Sequence, residues 1–232
     1  MEKYLYFAVN FFTIIICFIY SFHPKIRFDR YFVPFLKAGV SVAIPFILWD
    51  AWFTAEGIWW FNDRYLAGRR MLGLPVEEWL FFICIPFSCV FTYYCLDKFL
   101  NLKKDRPAAR YGIFFAILLC LAIAVIHSDK EYTLLTFLTT GLSLALLKFV
   151  LKFDGITKVS LVYMILLLPF LIVNGVLTGT GIEEAIVNYN PDAFMGIRIL
   201  TIPIEDAVYG YEMILWNVFL FFKFSENHKN HG

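Results

Sequence analysis

The chain has 232 residues, 60% of them hydrophobic and 20% aromatic, with a mean hydropathy of +0.69 and only 17% charged residues. A water-soluble domain of this size cannot hide so large an apolar surface, so the chain is read as an integral membrane protein. A formal net charge of +1, with no dense basic stripe, argues against a nucleic-acid partner.

Hydropathy predicts an all-α membrane domain of about seven spans, each near the ~17–25 residues a bilayer requires. In chain order they fall near 4–22, 34–54, 75–96, 111–126, 132–151, 160–178 and 203–222. The first has the position of a signal peptide. Its apolar run is long and no small-residue cleavage pattern precedes His23 and Pro24, so it is read as a mature helix. The cysteines Cys17, Cys84, Cys89, Cys95 and Cys120 fall in apolar runs, with no CxxC pair and no neighbouring histidine. They are read as buried thiols rather than a metal site or disulfide framework.

A motif then recurs. Gly68, Arg70, Leu72, Leu74, Pro75, Val76, Glu77 and Glu78 align without a gap on Gly196, Arg198, Leu200, Ile202, Pro203, Ile204, Glu205 and Asp206, 128 positions later. Asn62 matches Asn190 at the same spacing, and Asp50 matches Asn174 once a four-residue insertion in the second loop is allowed. The second and third spans therefore match the sixth and seventh, the first matches the fifth by position, and the fourth is a lone connector. The plan is 3+1+3 within a single membrane domain: a first unit at 1–105, a connector at 106–130 and a second unit at 131–232. With one helix between them, both units run the same way through the bilayer, and both motifs reach the same membrane face.

Charge gives that face a side. Lys3, Arg64, Arg69, Arg70, Lys130 and Arg198, 6 of the 20 Lys and Arg, lie with the N-terminus and the motif loops. The other 14, including Lys98, Lys103, Lys104, Arg106 and Arg110, lie opposite. The positive-inside rule then predicts a multi-pass protein of the cell membrane with its N-terminus outside and its C-terminus in the cytoplasm.

Proline at the first position of a helix wastes no hydrogen bond, so Pro75 and Pro203 are expected to open the third and seventh helices. Glu77, Glu78, Glu205 and Asp206 then lie in the first turn, near the positive end of the dipole. Acids there often only cap a helix, but two copies at one spacing beside a membrane point to chemistry. Burial and a like-charged neighbour oppose the dipole in deciding which acid holds a proton. A protonated member can serve as general acid while another carboxylate serves as base. These four are the candidate catalytic residues, with Glu77 and Glu205 ranked first because they are identical in both copies.

Adjacent helical residues point about 100° apart. One acid of each pair can therefore face a cavity and the other a partner such as Arg70, whose counterpart is Arg198. Aromatic rings crowd both copies, among them Trp49, Phe53, Trp59, Trp60 and Trp79 around the first and Tyr189, Phe194, Tyr209 and Trp216 around the second. Such rings form interfacial belts, and they also stabilise a carbocation by up to ~2 kcal/mol each when desolvated. Asp50, Asn62, Arg70, Trp79, Asn174, Asn190 and Arg198 are the candidate substrate-binding residues.

The duplicated PxE(E/D) motif on a three-helix unit, read here as Pro75, Val76, Glu77, Glu78 and Pro203, Ile204, Glu205, Asp206, resembles that of the small membrane-embedded lycopene cyclases. That family occurs as two short subunits, as one fused chain and as a domain of fungal bifunctional carotenoid enzymes. The likeness covers essentially the whole chain. It implies cyclisation of the ψ ends of lycopene to β-ionone rings with no net redox change, with lycopene and the lipid bilayer as partners and contact with other carotenoid enzymes. One carboxylic acid would protonate the terminal alkene, the cation would close the ring, and a base would remove a proton.

No cofactor and no metal are expected. Gly179, Thr180 and Gly181 come nearest to a dinucleotide fingerprint, but Glu184 stands in the third glycine's place. No aspartate-rich run for Mg²⁺ and diphosphate occurs, and His23, His127, His228 and His231 form no histidine box. A proton- or cation-coupled transporter is the alternative from another class, although its acids would sit mid-span rather than at helix mouths. A cyclase for elongated carotenoids, or for ε or γ rings, stays open because ring type depends on which proton the base removes.

Overall fold

The computed structural model describes residues 2–100 and 109–230. The expected unit boundary at 105/106 lies outside them, as do Lys103, Lys104, Arg106 and His231. Seven helices carry the fold: α1 Leu5–Ser21, α2 Phe32–Ala55, α3 Val76–Leu100, α4 Ala109–Ile126, α5 Glu131–Ala145, α6 Ile156–Leu177 and α7 Ile204–Asn230. With the short turns that extend them, five are long and apolar enough to cross a membrane: Glu2–Ser21, Phe28–Ala55, Val76–Leu100, Glu131–Val150 and Ile156–Leu177.

The other two segments expected to span differ for separate reasons. The apolar run of α4, Arg110–Ile126, is ~25 Å long at 1.5 Å per residue, short of a ~30 Å hydrocarbon core. Helix α7 carries Glu205, Asp206 and Glu212 in its first half, which lowers its hydropathy.

Helix α1 packs on α3, α5 on α7, α4 on α5, and α2 is wedged between α3 and α7. Buried rings, Phe28, Phe35, Phe53, Phe82 and Phe221 among them, fill the interior. Large apolar side chains elsewhere point outward, Phe12, Ile16, Leu168 and Ile172 among them, as on helices that face lipid. Pro45 and Pro169 lie inside α2 and α6, each five residues ahead of the polar residue that faces the site, Asp50 and Asn174. Neighbouring helices make such prolines tolerable in a bilayer by re-satisfying the freed backbone groups.

Two small ribbons precede α3 and α7. Strands β2 Arg70–Met71 and β3 Leu74–Pro75 pair antiparallel with Arg70 opposite Pro75. Strands β5 Arg198–Ile199 and β6 Ile202–Pro203 pair in the same register, with Arg198 opposite Pro203. Both ribbons turn on a leucine in left-handed conformation, Leu72 at φ 54° and Leu200 at φ 58°, a backbone region few non-glycine residues adopt. Each closes with an equivalent bond: Val76 N–H donates to Arg69 O and Ile204 N–H to Ile197 O, both at 3.0 Å. Pro75 and Pro203 thus end a ribbon rather than open a helix, and the helices begin one residue later. A proline suits the ribbon's end because no N–H is required of it there.

A third ribbon joins the loops of the two halves. Strand β1 Trp59–Phe61 pairs antiparallel with β4 Val187–Tyr189. At its ends Asn62 N–H donates to Ile186 O and Asn190 N–H to Ile58 O, both at 2.8 Å. Reciprocal bonds of equal length tie the two loops together over the mouths of α3 and α7.

Candidate active site

The hairpin before each acidic helix fixes where its two acids point. Glu77 Oε1 accepts from Ala67 N–H at 2.6 Å, and Glu205 Oε1 accepts from Met195 N–H at 2.9 Å and from Thr133 Oγ1 at 2.6 Å. Both side chains are fully buried. They tie the loop that leads into each helix back onto the helix's first turn, a task distinct from capping that turn's own amides. The remaining oxygen of each, Oε2, has no hydrogen-bond partner among the described residues.

The next residue of each pair points roughly 100° away, into a shared cavity. Glu78 and Asp206 both line a space of about 750 Å³, together with Asp50, Asn174, Tyr209 and Trp59. Glu78 Oε2 accepts one hydrogen bond, from the Tyr6 hydroxyl at 2.5 Å. Asp206 accepts three, each at 2.7 Å: from Tyr132 at Oδ1, and from Tyr189 and Asn174 at Oδ2. Three convergent donors hydrogen-bond the charged form of a carboxylate and so favour it. Tyr189 lies on β4, outside the helices. Burial, and after it the Asp206 charge, push its hydroxyl well above the ordinary phenol range, so it stays a donor.

Around these acids the walls are aromatic. Trp59 packs edge-on to Phe53 at 4.8 Å and to Tyr132 at 5.2 Å, and Tyr209 edge-on to Phe46 at 5.0 Å and to Trp49 at 5.2 Å. Two buried polar atoms of cavity-lining residues, Asp50 Oδ2 and the Tyr209 hydroxyl, have no hydrogen-bond partner among the described residues. Buried polar atoms without partners are costly.

The structure sorts the seven candidate substrate-binding residues into two groups. Asp50 and Asn174 reach the cavity. The other five brace the loops around it. Asn62 and Asn190 use Oδ1 to accept the amides of Arg64 and Asp192, both at 3.0 Å. Trp79 Nε1 donates to Met71 O at 3.2 Å. Arg70 donates to Gly73 O at 3.0 Å and pairs with the Asp63 carboxylate at 2.7 Å, rather than with the motif glutamate expected for it. Arg198 bonds Thr201 O and lies over the Phe194 ring at 4.7 Å.

Sequence reasoning passed over Tyr6 and Tyr132, the hydroxyls that hold Glu78 and Asp206. They stand 126 positions apart rather than 128, so an ungapped comparison leaves them out of register. It also passed over Glu212, buried on α7 beside Thr139, Thr140 and Ser143 of α5, whose hydroxyls lie 2.8, 3.1 and 2.6 Å from its carboxylate.

A helical protein with five helices apolar enough to cross a membrane, and an apolar cavity that takes one acid from each of two matching motifs, is the class that fold and site define. The family model for lycopene cyclase matches residues 3–96 and 129–224, and the chain belongs to the lycopene cyclase family. A bifunctional lycopene cyclase/phytoene synthase of Podospora anserina is 24% identical over 110 residues, which is 42% of this chain and 18% of that protein. One of the same description from Neurospora crassa is 27% identical over 82 residues, 32% of this chain and 14% of that protein. The matched stretches thus span less than a fifth of either relative. No solved structure matches the chain.

Proposed function

We propose that the chain is a lycopene β-cyclase, an isomerase of carotenoid biosynthesis that closes the ψ end groups of lycopene into β-ionone rings. The observation that carries this reading is that one acid from each motif faces the same apolar, aromatic cavity. Glu78, held by a single hydroxyl, is the proton donor. It adds a proton to the terminal alkene of the end group, and the resulting cation is attacked by the neighbouring double bond, forming the ring carbon–carbon bond. Asp206, already an anion amid three donors, stabilises the cation and removes a proton from the adjacent ring carbon. One proton enters and one leaves, so mass is unchanged and no redox cofactor or metal is required. Tyr209 and Trp59 offer ring faces to the cation, each worth up to ~2 kcal/mol when desolvated. Asp50, beside Glu78 on the cavity wall, completes the proton's return path between turnovers.

This reading ranks Glu78 and Asp206 above Glu77 and Glu205, which act by holding the motif loops. It retains the two parallel three-helix units about the connector α4, the cell-membrane placement with the N-terminus outside, and contact with other carotenoid enzymes. The test is expression in a lycopene-accumulating bacterium. Pigment of unchanged mass and blue-shifted absorption is expected from the native chain and not from Glu78→Gln. Unaltered lycopene beside verified, membrane-inserted native protein would reject the reading.

A further inference from the structure

The cavity has its acids at one end only. Along α3 its lining runs from Glu78 to Thr92, ~21 Å at 1.5 Å per residue, or about two-thirds of the hydrocarbon core. Beyond the acids that wall is apolar or weakly polar: Phe81, Ile85, Ser88, Cys89 and Thr92. The acids themselves are nearly out of reach from outside, with Asp50 2%, Asp206 6% and Glu78 8% exposed.

The opposite wall is open. Phe12 and Ile16 of α1 and Ile172 of α6 line the same cavity, yet they are 69%, 63% and 66% exposed. Residues that line a cavity and also face outward form its mouth. This mouth lies between α1, which packs chiefly on α3, and α6, which packs chiefly on α7, and these two helices touch each other only slightly. Both belong to segments apolar enough to cross a membrane, so the mouth gives onto acyl chains rather than water.

We propose that the cavity is a single end-group site with a lateral gate between α1 and α6, through which a long polyene is admitted from the bilayer one end at a time. The inference rests on the cyclase reading above and adds the route and the order of events. A substrate with two reactive ends meets one Glu78–Asp206 pair, so its ends are closed in two visits. Between visits the half-cyclised molecule returns to the lipid and must present its other end. The two motifs build one site together rather than one site each.

The test uses the native chain in lipid vesicles loaded with labelled lycopene and chased with excess unlabelled lycopene. Release between visits predicts that labelled one-ring product appears first and that the chase suppresses its conversion to two-ring product. Direct passage of label to the two-ring product, untouched by the chase, would overturn the proposal. The gate is tested with Ile16→Trp and Ile172→Trp against Ile19→Trp and Leu168→Trp, which are 60% and 70% exposed on the same helices but do not line the cavity. If the bulkier ring leaves the gate open about a tenth of the time, apparent affinity falls about tenfold. The gate variants should therefore need about tenfold more lycopene for half-maximal rate, with the controls unchanged, at equal membrane levels. Equal behaviour of gate and control variants would reject the lateral route while the cyclase reading stood. Native mass spectrometry finding phospholipid in the cleft, displaced by Ile172→Trp without change in lycopene turnover, would make the cleft a lipid site. A native chain that makes no cyclised product fails at the earlier reading instead.

Discussion

The two acidic motifs share spacing, hairpin register and even the backbone bond that closes each loop, yet they leave their cavity-facing acids in different company. In the first half Glu78 has one phenolic donor; in the second Asp206 has two phenols and an amide. The residue before each, Glu77 or Glu205, does the same structural task in both. The two motifs thus form matching frames, and the neighbours contributed by α1, α5, α6 and β4 give the two acids different hydrogen-bond surroundings, the inequality on which the proposed division into acid and base rests. A reaction that needs both an acid and a base at opposite stages is served by that inequality.

The strongest way to break the comparison is to separate the halves. If one cavity needs an acid from each, co-expressed residues 1–105 and 106–232 should restore activity, since the covalent link around Lys103 to Arg106 is expected to contribute only effective concentration. Neither half alone should cyclise lycopene above background. Activity from one half, measured as pigment per unit of inserted protein, would show that its acid suffices.

Next come the acids themselves. Glu78→Gln and Asp206→Asn keep shape but remove proton transfer, and each should lower activity by the ~10² or more that general acid–base catalysis contributes. In the native chain the rate should fall on both sides of a pH optimum, because the acid must hold its proton and the base must have lost it. Glu77→Gln and Glu205→Gln should lose far less activity and show their effect in the amount of folded protein. Equal losses from all four would undo the division of labour within each pair.

A smaller effect isolates the asymmetry between halves. Tyr132→Phe removes one of three donors from Asp206; a hydrogen bond to a charged group is worth ~1.5–3 kcal/mol, so about tenfold in rate is expected where part of that is felt in the transition state. In single-turnover kinetics Tyr6→Phe should move a different step, since it touches the acid and not the base. Indistinguishable profiles for the two variants would mean that the acids' surroundings do not set their roles.

Much of this arrangement was legible in the sequence, and the gaps have physical causes. The repeat exposed the four acids and the pair Asp50 and Asn174, because these positions recur at one sequence spacing or at that spacing less four residues. Which acid of each pair faces the cavity was not legible. That depends on the ribbon before the helix, where Leu72 and Leu200 adopt a conformation composition does not announce. Arg70 was assigned to a glutamate by proximity in sequence, whereas the hairpin turns it toward Asp63. Tyr6 and Tyr132 come from helices more than seventy residues away and out of register with the motif, so only packing brings them in.

Glu212 offers the finest test of how far the halves have diverged. Its counterpart, 128 positions earlier, is Cys84, a buried free thiol on α3. Where the first half has an apolar contact at this level, the second has a carboxylate among three hydroxyls of α5, and Trp216 Nε1 donates to Ser143 Oγ at 2.9 Å beside it. The group stands outside the cavity lining, so it acts by clamping α5, which carries Tyr132, to α7, which carries Asp206. Interhelical hydrogen bonds in membranes average ~0.6 kcal/mol each, and three give about 2 kcal/mol. Glu212→Cys, which copies the first half, should therefore lower the thermal midpoint in detergent by roughly 4–8 °C for a chain of this size. Activity per folded molecule should stay within about twofold at low temperature, because the acids and their donors are untouched. An unchanged midpoint would show that the apolar contact of the first half serves the second equally well. A large loss of activity at an unchanged midpoint would instead place Glu212 on the proton path.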